Sequence, residues 1–155
     1  MDSDAREFDA ENVYRVFDWL WSSGQLSARD IARLPQLHIA LVINLAPPSA
    51  SNALPGEAEL ITGLGINYLQ IPVDWQAPKL EQLHDFFATA DAYAGRRIWL
   101  HCAKNMRASV FVYLYRRLHL AHTDEEARFP LQQIWAPNPT WQAFINAASV
   151  EAIKL

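Results

Sequence analysis

"RRIWLHCAKNMRASVFVYLYRRLHL", residues 96–120, decides the fold. Its first six residues are an apolar run centred on Ile98, Trp99 and Leu100, the pattern of a short buried strand. The stretch 108–120 is apolar on nearly every face. A surface helix would carry a polar face, so this helix is expected to run through the centre of the domain. Between strand and helix lies a short loop that holds the only cysteine of the chain, Cys102. Such a loop aims its N–H groups at the helix N-terminus, where the first amides have no partner and the helix dipole is positive. An anion fits there.

The residue types in the loop suit that site. A positive field favours the thiolate of Cys102, the nucleophilic form. Arg107, in the first helical turn, offers a planar fork to two oxygens of a tetrahedral anion. Lys104 adds local positive charge. A loop this tight often needs a residue at positive φ, and Asn105 tolerates it better than most when no glycine is present.

Outward from this segment, strands and helices alternate. "IALVINL", 39–45, and "INYLQIPV", 66–73, read as buried strands. Ser27 with Asp30 resembles a capping box opening a helix that Pro35 closes, and "EAELITGLG", 57–65, ends in glycines suited to a C-cap. Pro78 suits a first helical turn, with Leu80, Leu83, Phe87, Ala90 and Ala94 at helical spacing up to Gly95. Thr123 with Glu126 and Asn138 are candidate caps for two later helices. The sum is an α/β layer structure with a mostly parallel central sheet, read as one domain over 1–155.

Composition bounds the function. The chain has 155 residues, 51% apolar and 12% aromatic, enough for a substantial core. One Cys cannot form an internal disulfide, and five scattered His offer no paired spacing of zinc-site type, so no metal or cofactor is expected. A net charge of −4 argues against a broad nucleic-acid or anionic-membrane surface. The N-terminus "MDSDAREFDAENVYR" is acidic and lacks an apolar signal core, and no apolar run reaches a membrane span. A soluble, cytoplasmic protein is the expectation.

"HCAKNMRAS" resembles the phosphate-binding loop of cysteine-dependent protein tyrosine and dual-specificity phosphatases, whose common pattern is His-Cys, five residues, Arg, then Ser or Thr. More closely, the chain is similar to the bacterial dual-specificity-phosphatase-like proteins of the DUF442 family. The likeness runs through "SSGQLS", "VINLAPP", "GEAELITGLGINYLQIPV", "HCAKNMRASVFVYLYR" and "IWAPNPTW", covering roughly residues 13–147. It implies the compact cysteine-phosphatase fold and a two-step hydrolysis without metal. Cys102 would attack phosphorus, Arg107 and the amides of Ala103, Lys104, Asn105 and Met106 would hold the phosphoryl group, and water would break the phosphocysteine. His101 would order the loop, and Ser109 would donate to the departing sulfur. The implied partners are a phosphorylated protein or a small phosphomonoester, with inorganic phosphate or sulfate able to occupy the loop.

The general acid of such enzymes is an Asp upstream of the Cys. Asp74 in "IPVDWQAP" is the candidate, because parallel strands present their C-terminal ends on one edge. Its alternative is a solvated turn residue, while His84 and Asp85 read as solvent-facing. One departure from the pattern matters: Arg107 stands five positions after Cys102 rather than six, while Ser109 keeps its place seven after it. One residue rotates a helical side chain by about 100°, so weak turnover is expected. The same departure keeps two other readings open, a rhodanese-like sulfurtransferase and a noncatalytic phospho-ligand binder; a third, a buried structural Cys, stays open because a lone Cys is commonly core. The Trp residues read as core or cleft lining.

Overall fold

Alternating apolar side chains give the sheet two buried faces. Five strands, β1 (Tyr14–Phe17), β2 (Leu20–Ser23), β3 (Ile39–Asn44), β4 (Asn67–Gln70) and β5 (Arg97–His101), form one sheet in the order β1-β2-β5-β3-β4. β2, β5, β3 and β4 are parallel, and β1 runs antiparallel to β2 at one edge. Leu20, Leu41, Ile43, Ile98 and Leu100 point into one core, and Trp21, Val42 and Trp99 into the other, as a period of two requires. This computed structural model describes residues 7–154, so the ends of the expected 1–155 domain lie outside the described residues.

Among the described residues, seven α-helices cover these faces: α1 (Ala28–Arg33), α2 (Glu57–Thr62), α3 (Leu80–Ala92), α4 (Met106–Leu114), α5 (Asp124–Ala127), α6 (Leu131–Ile134) and α7 (Pro139–Lys154). The smaller core takes Ile31 of α1 and Ile61 of α2. The larger takes Leu83 and Phe86 of α3, Val110, Phe111, Val112 and Leu114 of α4, and Trp141, Phe144 and Ile145 of α7. The central helix is α4, buried on nearly every side, continued by a π-helical turn at Tyr115–His119. Among the described residues, no helix is long and apolar enough to cross a membrane.

The caps read from sequence are present. Ser27 and Asp30 form a capping box, as do Thr123 and Glu126, and Asn138 Oδ1 accepts from Trp141 N at 3.0 Å. Three details differ. α3 begins at Leu80 with Lys79 as its cap, so Pro78 precedes the helix. Phe86, not Phe87, fills the α3 core position, because the helix turns its buried stripe through Leu83, Phe86 and Ala90. β1 and β2 were not foreseen, since four-residue strands are too short for a period to show.

The register sets the site. Ser23 and Asn44 both pair with His101, and Asn44 pairs with Gln70, so the parallel strands end in one row. Gly24, Leu45, Ile71 and Cys102 therefore follow on a single edge, where open parallel sheets hold their ligands.

Candidate active site

Cys102 follows β5 at that edge, only 1% exposed, with its N–H donating to Ser23 O at 3.3 Å. Its loop enters α4 through Asn105, which has φ 68° and ψ 8°, the left-handed conformation expected for it. The Asn105 side chain is buried and donates to Asn12 O at 2.8 Å and to Ser22 Oγ at 3.2 Å.

Neighbouring segments hold the loop carbonyls outward. Ala103 O accepts from Gln25 N and from Asn52 Nδ2, each at 3.0 Å, and Lys104 O accepts from Asn12 Nδ2 at 3.0 Å. In a planar trans peptide the N–H points opposite to the C=O, so the outward Ala103 carbonyl turns Lys104 N–H toward the loop interior. The first-turn amides of α4, on Met106, Arg107 and Ala108, have no intrahelical acceptor by geometry, and among the described residues they donate to no other backbone carbonyl. Gly24 makes the close packing possible: a Cβ there would lie 2.9 Å from Ala103 O and 3.2 Å from Lys104 Cα.

Arg107 is 7% exposed. One terminal nitrogen, Nη1, donates to Val73 O at 3.0 Å, the guanidinium lies 5.8 Å from the Trp75 ring centroid, and the buried Nε has no acceptor among the described residues. Val73 precedes Asp74, so the segment after β4 is tied to Arg107 directly. Asp74 itself is exposed, and its Oδ1 accepts from Gln76 N at 2.8 Å, closing a local turn. Trp75 stacks on Trp135 at 5.2 Å, and its carbonyl accepts from Trp141 Nε1 at 2.9 Å, which anchors this turn to α7.

The structure thus brings Cys102, Arg107 and the Asp74 turn to one edge and leaves Lys104 exposed beside them. Ser109 is buried, but its hydroxyl donates to Met106 O at 2.8 Å and accepts from Trp135 Nε1 at 3.2 Å, so its proton is turned away from sulfur. His84 and Asp85 are exposed, as read from sequence.

Beneath the loop, His101, read from sequence as the residue that orders it, meets a partner that sequence reasoning missed, Glu57. His101 is fully buried, with Nε2 2.7 Å from Glu57 Oε2 and Nδ1 3.2 Å from Cys102 O. Glu57, the first residue of α2, is 5% exposed and also accepts from Gln25 Nε2. Burial works to raise the Glu57 carboxyl, but the hydrogen bond and charge of His101, with help from Gln25 and Tyr68, hold it below the usual range. Tyr68 accepts from Asn44 Nδ2 at 3.0 Å, and burial pushes its phenol well above its ordinary value. The sequence signal for Glu57 was only its place at a helix start.

A DUF442 protein named as a phosphatase, from Shewanella putrefaciens CN-32, superposes with a TM-score of 0.82 at 34% identity, over 97% of this chain and 97% of that one. The chain belongs to the DUF442 family. Wider likenesses of this DUF442 protein establish the fold alone. PTPMT1, solved in complex with PI(5)P, gives a TM-score of 0.77 at 17% identity over 92% of this chain and 97% of that one. TpbA of P. aeruginosa gives 0.72 at 16% identity over 93% and 89%. No protein-family model matches the chain, and no curated protein matches it.

Proposed function

We propose that this DUF442 protein is a cysteine-dependent phosphomonoester hydrolase of the tyrosine or dual-specificity type. The observation that carries the reading is Arg107: a side chain more than nine-tenths buried at the head of the helix after Cys102, with an Nε that has no acceptor among the described residues. Keeping such a donor unpaired is costly, and a phosphoryl oxygen is an acceptor of the right charge.

In the first step Cys102 Sγ attacks phosphorus, the ester P–O bond breaks, and Asp74 donates a proton to the leaving oxygen. Loop amides and Arg107 hold the three equatorial oxygens, so catalysis is mainly electrostatic preorganisation. In the second step water attacks phosphorus and gives its proton to the Asp74 carboxylate. The S–P bond breaks and sulfur leaves as thiolate. Ser109, rotating its hydroxyl from Met106 O to sulfur, eases that departure. The substrate is a phosphorylated protein or a small phosphomonoester; PTPMT1 and TpbA were solved with PI(5)P and with pTyr respectively, and the same anion trap fits either headgroup.

The test is turnover of a generic aryl phosphate by wild type and by Cys102→Ser, with thiosulfate and cyanide as a parallel assay. Phosphate release that Cys102→Ser abolishes supports the reading. Faster formation of thiocyanate than of phosphate would make the protein a sulfurtransferase instead. A second reading, a noncatalytic phospho-ligand binder, draws on the Val73 bond to Arg107 and on the Ser109 hydroxyl turned from sulfur; it predicts phosphate binding without release.

A further inference from the structure

We infer that Glu57 is a positioning residue for the nucleophile: its carboxylate fixes the buried His101 ring so that Nδ1 holds the Cys102 carbonyl, and with it the peptide that opens the loop. The inference rests on the reading of Cys102 as nucleophile, but its geometry stands apart from turnover.

A carboxylate 5% exposed is destabilising unless its oxygens are satisfied. Here Oε2 faces His101 and Oε1 faces Gln25, and among the described residues no Lys or Arg forms an ion pair with it. His101 is therefore the only side chain able to pair with the carboxylate as a cation among the described residues. A carboxylate only accepts hydrogen bonds, so the proton between the two groups sits on Nε2. The carbonyl of Cys102 also only accepts. The 3.2 Å approach of Nδ1 to it is a hydrogen bond only when Nδ1 carries a proton as well. The arrangement that satisfies all four groups is an imidazolium between a carboxylate and a carbonyl, neutral overall and sealed from water.

The consequence reaches the site through one peptide. With the Cys102 carbonyl drawn down to His101, the N–H of Ala103 points the opposite way, into the loop. The backbone of His101 is fixed at the same time, since its carbonyl accepts from Leu45 N at 2.8 Å. Glu57 thus sets the first amide of the anion trap from 44 residues away in sequence. The substitution Glu57→Leu would remove both the acceptor for Nε2 and the charge that holds the second proton on the ring, whereas Glu57→Gln could turn its NH2 to Nε2 and leave the Nδ1 proton on a neutral ring.

Two measurements test this. In 15N-labelled wild type, both ring nitrogens of His101 should read as protonated at pH near neutrality; one bare nitrogen would overturn the inference, whatever the variants do. Second, Glu57→Leu should slow alkylation of Cys102 by iodoacetamide and lower kcat about tenfold or more, the scale on which outer partners act on the ligands they orient, with Glu57→Asp recovering part of the loss. A folded Glu57→Leu that alkylates at the wild-type rate would also overturn it. Should Glu57→Leu not fold, the ring nitrogens of the wild type decide. If wild type releases no phosphate while the ring and alkylation results hold, the phosphatase reading fails and the positioning role does not.

Discussion

Arg107 is held before any anion reaches it, by Val73 O on one side and the face of Trp75 on the other. With one terminal nitrogen already committed, Nε and the second terminal nitrogen remain for an oxyanion. Arg107→Lys keeps the charge and loses the fork. It should weaken inhibition by inorganic phosphate about tenfold to a hundredfold, from charged hydrogen bonds worth about 1.5–3 kcal/mol, and reduce kcat by a smaller factor, because contacts made equally in ground and transition states change KM more than kcat. A larger loss in kcat than in phosphate affinity would mean that the Arg is aligned to the transition state. Asp74 makes a separate claim. Asp74→Asn should slow hydrolysis of esters with poor leaving groups by about 100-fold or more, the usual contribution of a positioned acid, and spare activated aryl esters. Equal losses on both would assign the proton to another group.

At the scale of elements, the loop is shaped by what surrounds it more than by its own sequence. Asn12, Gln25 and Asn52 come from three segments far from residue 102 in the chain, and each pulls a loop carbonyl or its neighbour outward. Gly24, following β2, lets that strand end run against the loop. Gly24→Ala would place a methyl 2.9 Å from Ala103 O, backbone that cannot swing aside. It should cost about 1–3 kcal/mol of stability, the usual effect of overpacking, and weaken phosphate binding; a variant with wild-type melting and wild-type phosphate affinity would contradict this account of the loop. These elements were partly legible in advance. β3 announced itself as an apolar β-branched run, β4 and β5 as short strand-like runs, α4 as a helix without a polar face, and Asn105 as the residue for a positive φ. β1, β2, Gly24 and the three tethering amides did not, because their roles exist only once distant segments meet.

Across the whole molecule, one row of strand ends gathers the site, and two cores clamp the sheet that carries it. Cys102, Arg107 and the edge bearing Asp74 were legible because strand, loop and helix follow each other locally. Glu57 was not, since a helix-start glutamate reads as a solvated residue until burial shows otherwise. That buried carboxylate also ties global stability to acid. Its folded-state value is held below the ordinary glutamate value of about 4.3, so its contribution is complete above that pH and is lost as pH falls through the lower folded value. Wild type should therefore lose stability more steeply than Glu57→Gln as pH drops below about 4.3, as read from melting temperatures; parallel curves would remove this linkage. The central claim is that Cys102 takes the phosphoryl group. The most direct measurement is acid quenching of wild type during turnover of an aryl phosphate, followed by mass analysis of the peptide carrying residue 102. One added phosphoryl group on Cys102, absent from Cys102→Ser, is the predicted result; phosphate release with an unmodified Cys102, or a persulfide in place of the phosphoryl group, would contradict it.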